Sequence, residues 1–278
     1  MKTFDLLKKY NIRPSKGRGQ NFLMDKKIRN KIIDALRVSG TDTVVEIGPG
    51  CGALTGDIAR LCRSLVAVES DRHCVQLLRQ ELVPLFSNIT IIHDSILRYD
   101  PRPAAAGGTL KVVGNLPYCI TTQVLFHLSR FRRYISQGVF TVQREVAERI
   151  LALPGTKQYG RLTVSLRLIA EAAKLFDIPP ECFYPKPQVT STVLRFTFRD
   201  MRTNAAYDDV LYSVVKALFQ ERRKTIQNGL TLVNCVSITK KEAGEIIEQC
   251  RLEPNRRAEE LMIKDFLHIA HAVMQHMK

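Results

Sequence analysis

Apolar residues recur at Ile28, Ile32, Ile33 and Leu36, steps of three and four that place them on one face of a helix. Beyond that segment the period shortens. Val44-Val45-Glu46-Ile47, Leu65-Val66-Ala67-Val68 and Ile89 to Ile92 are short β-branched runs, separated by helical patterns near Leu54 to Leu61 and Cys74 to Leu82. The alternation continues with Leu110-Lys111-Val112-Val113, a helix from about Thr122 to Leu128, and Val139-Phe140-Thr141-Val142 followed by another helix. Strand and helix in turn predict a parallel sheet covered on both faces. Ala173 to Ile178 and Thr192 to Phe198 read as later strands, but only the proline-rich stretch Pro179 to Pro187 joins them. With no crossover helix available, they are expected to close the sheet antiparallel.

After Asp200 the strand signal stops. Tyr207 to Phe219, Lys240 to Cys250 and Ile263 to Met274 have helical spacing with no strand between them, and Thr239-Lys240-Lys241-Glu242 has the spacing of a capping box. The expected organisation is an α/β domain over residues 1–200, led by a basic segment 1–25 that contains Arg13, Lys16 and Arg18, and a small all-α domain over 201–278.

Charge narrows the partners. In 278 residues, 42 Lys and Arg stand against 27 Asp and Glu, a formal charge of +15 that suits a polyanion such as RNA or DNA. Seven cysteines at 51, 62, 74, 119, 182, 235 and 250 include no C-x-x-C pair, which argues against a disulfide framework or a zinc site. The N-terminal residues lack an apolar signal core and no stretch approaches the roughly 20 apolar residues needed to span a bilayer, so the expectation is a cytoplasmic protein without membrane attachment.

The candidate chemistry lies at strand ends. Gly48-Pro49-Gly50-Cys51-Gly52 follows the first strand and precedes a helix, a loop that lets backbone approach a ligand closely. A dinucleotide fingerprint would read G-x-G-x-x-G; here the spacing is G-x-G-x-G with Glu46 just before it. A carboxylate there repels a pyrophosphate but suits the sulfonium and ammonium ends of S-adenosylmethionine. Glu69 ends the second strand, where a carboxylate can accept from both ribose hydroxyls, and Asp94 follows the third, where it can accept from the adenine amino group or simply cap a turn.

Asn115-Leu116-Pro117-Tyr118 follows the strand ending at Val113-Gly114. An adenine amino nitrogen is a weak nucleophile because its lone pair is delocalised into the ring. Acceptors aimed at its N–H groups favour the pyramidal form that appears as methyl transfer begins. The Asn115 side-chain carbonyl can be one acceptor and the Leu116 or Pro117 backbone carbonyl the other, with Pro117 keeping Leu116 extended. Tyr118 offers a stacking face. No metal or activated nucleophile is implied.

Together these motifs resemble those of the small-subunit ribosomal RNA adenine dimethyltransferases, the KsgA type, over nearly the whole chain. Asn21 and Leu23 in Gln20-Asn21-Phe22-Leu23 match the family's N-terminal cofactor contacts, and Gly48, Glu69, Asp94 and Asn115 its loop, ribose, adenine and amino-group positions. Further matches are Gln143 to Ala147, Tyr159 to Leu162, and Phe183-Tyr184-Pro185-Lys186-Pro187-Gln188-Val189 with Ser191. There Phe183 matches the aromatic that sandwiches the target base opposite Tyr118; read as a residue alone, a core phenylalanine is the alternative. Relatives that methylate large-subunit RNA share the catalytic half, but Phe219 to Asn228 and Arg257 to Leu261 resemble the small-subunit type. In the first of these, Arg222, Arg223 and Lys224 can bind phosphates, unless the run is only a solvated helix face.

Cys119 stands where the family usually has Asn, and Ser95 where it often has Ala. The resemblance implies a Rossmann-like class I methyltransferase sheet and S-adenosylmethionine as methyl donor. It also implies dimethylation of two adjacent adenines in a hairpin loop of 16S rRNA within the immature small subunit; a monomer is the default expectation. The alternatives left open are a large-subunit RNA methyltransferase and an RNA-binding assembly factor for which methylation is secondary.

Overall fold

The computed structural model describes residues 3–14, 19–199, 205–221 and 223–277. Among these the strands are β1 (Phe22–Leu23), β2 (Thr43–Ile47), β3 (Ser64–Glu69), β4 (Ile89–His93), β5 (Leu110–Asn115), β6 (Ile135–Gln143), β7 (Ala170–Ile178), β8 (Phe183–Tyr184) and β9 (Ser191–Phe198). The helices are α1 (Thr3–Lys9), α2 (Lys26–Leu36), α3 (Thr55–Ala59), α4 (Arg72–Glu81), α5 (Arg102–Ala105), α6 (Thr121–Ser129), α7 (Arg144–Leu151), α8 (Arg161–Arg167), α9 (Ala205–Leu218), α10 (Ile226–Leu230), α11 (Lys240–Gln249) and α12 (Ile263–His276).

Seven of the strands form one sheet in the order β4-β3-β2-β5-β6-β9-β7, with helices on both sides. β4 through β6 are parallel, whereas β9 runs antiparallel to both β6 and β7. The antiparallel closure expected from the missing crossover helix is therefore present. β2 is buried at every residue, as a central parallel strand covered on both faces must be, and the edge strand β4 is only partly covered.

α2 shows how the sequence sets an element. Asp25 caps it, accepting from the Ile28 N–H at 2.9 Å, and Arg37 in the left-handed region ends it. Its buried residues are Ile32, Ile33 and Leu36, the apolar face read from the spacing, and each contributes roughly 1.5–3 kcal/mol relative to exposure.

The chain divides into two compact units, Met1–Ala147 with Ala170–Asp200, and Glu148–Ile169 with Met201–Lys278. The second unit thus takes in a segment that the sequence assigned to the first domain. The reason is packing: Tyr159 is fully buried, donates its hydroxyl to the Leu261 carbonyl at 2.8 Å, and shares a core with α9, α11 and α12. Phe219 stacks on Phe266 in that core, at 5.8 Å between centroids. The capping box forms, with Thr239 N–H to Glu242 at 2.7 Å and the Thr239 hydroxyl accepting from the Glu242 N–H at 3.3 Å.

Candidate active site

Because neighbouring strands of the parallel half end in register, Ile47 lies opposite both Val68 and Gly114, and Glu69 opposite His93. The residues that follow share one edge of the sheet, where open α/β folds bind ligands. One cavity there is lined by Asn21, Leu23, Glu46, Gly48, Glu69, Asp94, Asn115, Leu116, Pro117 and Tyr118. The structure thus brings together residues spread over almost 100 positions.

The loop after β2 is shaped by its glycines. Gly52 has φ +78°, and a Cβ there would fall 2.5 Å from Leu82 Cδ1. Gly48 has φ +61°, yet a Cβ would meet nothing within 4 Å, so this position faces open space in the cavity. Glu69 ties the loop to β3, accepting from the Gly50 N–H at 3.0 Å and the Asp71 N–H at 2.8 Å. Burial raises its carboxyl while those two N–H groups pull it back.

Glu46 is 2 % exposed and its Oε2 has no hydrogen-bond partner. Burial, reinforced by the Glu69 charge, pushes its carboxyl up to about 7. Asp94 is held below the usual carboxylate range, first by Arg98, whose Nε donates to Oδ1 at 2.8 Å, and then by the Ser95 N–H at 2.6 Å. Both bonds fall on Oδ1, so Oδ2 keeps its acceptor capacity.

At the end of β5, Asn115 Nδ2 donates to the Asn21 carbonyl at 2.8 Å, which fixes the amide's orientation. Its Oδ1 is buried in the cavity wall and has no partner. The Pro117 carbonyl accepts from the Ile120 N–H at 3.1 Å and the Thr121 hydroxyl at 3.0 Å. Of the two backbone acceptors the sequence left open, the Pro117 carbonyl thus already accepts two hydrogen bonds. Tyr118 is half-buried, its hydroxyl 2.6 Å from Ser191 Oγ, a tether that orients the ring.

The remaining residues fall in different places. Phe183 is 4 % exposed, lies opposite Leu23 in the β1–β8 pair, and belongs to the core behind Leu23 and Ile32 rather than to the residues lining the cavity. Pairing of β8 with β1 places the Phe183 ring on the core face with Leu23. Arg222 lies outside the described residues; Arg223 and Lys224 are exposed in a turn before α10, not on a helix. Cys119 is exposed and lies outside the cavity lining, whereas Ser95 is part of it. Sequence reading missed that Asn21 contributes its backbone carbonyl to Asn115, a contact for which no side-chain signal exists. Among the described residues no group of three His, Cys, Asp or Glu is placed to hold a metal, and no helix is long and apolar enough to cross a membrane.

Residues 12–275 match the family model described as ribosomal RNA adenine dimethylase. The chain belongs to that family. The ribosomal RNA small subunit methyltransferase A of Desulforapulum autotrophicum is 38% identical over 270 residues, covering 96% of this chain and 95% of the relative. Among solved structures, a dimethyladenosine transferase from Plasmodium falciparum superposes with TM-score 0.76 at 23% identity, over 89% of this chain and 95% of that one. The 23S rRNA methyltransferase ErmE gives 0.69 at 22% identity, over 91% and 100%. These two share the fold, the class I methyltransferase sheet with a helical C-terminal region that the sequence predicted. The family is one of methyltransferases, so the chain is an enzyme.

Proposed function

We propose that this protein methylates the N6 amino groups of two adjacent adenines in a small-subunit rRNA hairpin loop, twice each, using S-adenosylmethionine. It then acts in small-subunit biogenesis, as a monomer in the cytoplasm. The observation that carries the reading is Asn115 Oδ1: a buried acceptor without a partner, held through Nδ2, on a residue that lines the cavity. Leaving such a group unsatisfied costs about 1–3 kcal/mol, and an incoming N–H removes that cost.

The cavity fits the cofactor on its own chemistry. Glu46 offers an unpartnered carboxylate oxygen for a cationic group, Glu69 and Asp94 offer acceptors for ribose hydroxyls and an adenine amino group, and Gly48 leaves room for them. Asn21 and Leu23 would cover it. When bound, S-adenosylmethionine supplies an electrophilic methyl group. The protein's part is alignment: in the first transfer Asn115 Oδ1 and the Leu116 carbonyl would accept from the two N–H groups of the target amine, in the second one of them would accept from the single N–H that remains, and Tyr118 would hold the base by stacking. No strong base is needed, because the nitrogen becomes acidic as its lone pair enters the new bond and water takes the proton. In the second unit, Arg222, Arg223 and Lys224 bind RNA phosphates; Arg223 and Lys224 are exposed as that requires.

The test is incubation of purified protein with labelled cofactor and immature small subunits, followed by mapping of modified bases. Dimethyladenosine at two neighbouring loop positions is expected. Its absence from reactions with folded protein overturns the reading, and modification of large-subunit RNA instead reassigns the substrate. Asn115→Ala should lower the rate by about 10²-fold with RNA binding nearly intact. Equal loss of both would mean that Asn115 holds RNA rather than the reacting amine.

A further inference from the structure

α1 is a docked helix with one large apolar side chain, that of Phe4, left exposed. Leu7 is buried with Phe22, Leu77 and Leu78, and both Lys9 and Tyr10 bond Glu81, at 2.6 and 2.7 Å, which ties the segment to α4. Phe4, one turn before Leu7, is nevertheless 40 % exposed. Across from it stands Tyr184, 41 % exposed, with ring centroids 5.3 Å apart at an interplanar angle of 77°. The Lys8 ammonium lies 5.1 Å from the Phe4 ring centroid.

The position of this pair follows from strand alternation. In the antiparallel ribbon of β1 and β8, Phe22 lies opposite Tyr184 and Leu23 opposite Phe183. Cross-strand partners point to the same face. Leu23 and Phe183 accordingly enter the sheet core, whereas Phe22 turns to the α1 cluster and Tyr184, beside it, meets Phe4. Phe22 and Leu23 also line the cavity, and Asn21 just before them holds Asn115. Tyr184 therefore belongs to the ribbon that walls the reaction site, and Phe4 meets it from α1.

We infer that Phe4 and Tyr184 form a stacking platform for an unpaired RNA base next to the one held in the cavity. The inference rests on the RNA reading above and adds a second base site to it. A single exposed aromatic is ordinary on a protein surface. Two in edge-to-face contact, each about two-fifths exposed and with a lysine ammonium over one of the rings, combine aromatic surface for a base with a cation for the backbone, as single-stranded nucleic acid requires. Lys186 lies two residues beyond Tyr184, paired with Glu181 at 2.5 Å, and the chain's charge of +15 favours a polyanion over an apolar peptide. A platform here holds the strand beside the flipped base, so that the reacting amine is presented with one neighbouring base already stacked.

The experiment uses the full chain and a hairpin RNA carrying 2-aminopurine at the loop position beside the target adenine. Binding to the wild-type protein should quench the fluorophore, Phe4→Ala and Tyr184→Ala should each restore its emission, and Tyr184→Phe should retain the quench. KM for immature subunits should rise about tenfold in the alanine variants, with kcat at saturating RNA and cofactor affinity unchanged. Phe4→Ala leaves the ribbon untouched and so reports even if Tyr184→Ala folds poorly, which a thermal melt will show. Unaltered quench and KM in variants that still methylate would overturn the platform and leave the proposed function standing. A KM effect on subunits with unchanged quench on the hairpin would assign the patch to a protein of the subunit and overturn it as well. A wild-type chain that methylates no rRNA overturns both.

Discussion

A carboxyl group that is 2 % exposed, with one oxygen unpartnered, is kept neutral more easily than charged, and Glu46 is accordingly raised from 4.5 to about 7. Between these values the folded state binds a proton that the unfolded state has released, so stability falls as pH rises through the window from 4.5 to 7 and is flat above it. The loss is on the order of 3 kcal/mol for a shift of that size. Urea unfolding of the cofactor-free protein at pH 5 and pH 8 should show this fall, and Glu46→Gln should make it smaller, leaving the part that the raised Glu69 carboxyl contributes in the same direction; a variant with the wild-type difference would contradict the assignment. A cationic ligand reverses the preference, because it favours the carboxylate. Cofactor affinity should then increase with pH up to about 7 in the wild type and stay level in Glu46→Gln. The acidic side chain beside the glycine loop was legible in the residues, Glu46 standing two positions before Gly48. Phe183 was not, since its burial is decided by pairing with Leu23, far away in the chain, through strands of two residues each.

At the scale of elements, the site depends on how closely β2 and β5 approach at their ends. Gly114 lies opposite Ile47, and a Cβ on it would sit 2.9 Å from the Ile47 carbonyl oxygen and 3.0 Å from its Cβ, atoms of a packed strand that cannot simply swing away. Gly114→Ala should therefore push the strand ends apart, destabilising the protein by about 1–3 kcal/mol. Because Asn115 follows directly, methylation should fall further than stability does, with RNA binding preserved. Denaturant midpoints and single-turnover rates measured together check this, and an unchanged rate in a destabilised variant would show that Asn115 does not depend on the strand's position. The elements themselves were largely legible, since β-branched runs and helical spacing alternate cleanly through β6. α8 was not. Leu162, Val164 and Leu166 alternate as in a strand, and all of Leu162 to Leu166 is buried, so the helix has no polar face for its period to show.

At the scale of the molecule, two kinds of RNA contact are separable by salt. The boundary near Asp200 was visible because strand spacing ends there, while the allegiance of Glu148–Ile169 was hidden, since it rests on tertiary contacts such as that of Tyr159 with Leu261. What composition did convey is the excess of 42 cationic over 27 anionic side chains, and phosphate neutralisation by such groups makes binding steeply dependent on salt. Each phosphate contact adds about 0.7–0.9 to the slope of log affinity against log salt. If Arg223 and Lys224 each hold one phosphate, replacing both with Ala should lower that slope by about 1.4–1.8 and weaken binding alike for hairpins of any loop sequence. Tyr184→Ala, by contrast, should weaken binding at every salt concentration by one constant factor and leave the slope alone, because stacking releases no counterions. Filter-binding titrations of the two variants across 50–200 mM salt decide between these patterns. A constant factor for the Arg223/Lys224 variant would mean that the exposed turn is merely solvated, and that the protein's positive charge meets RNA elsewhere.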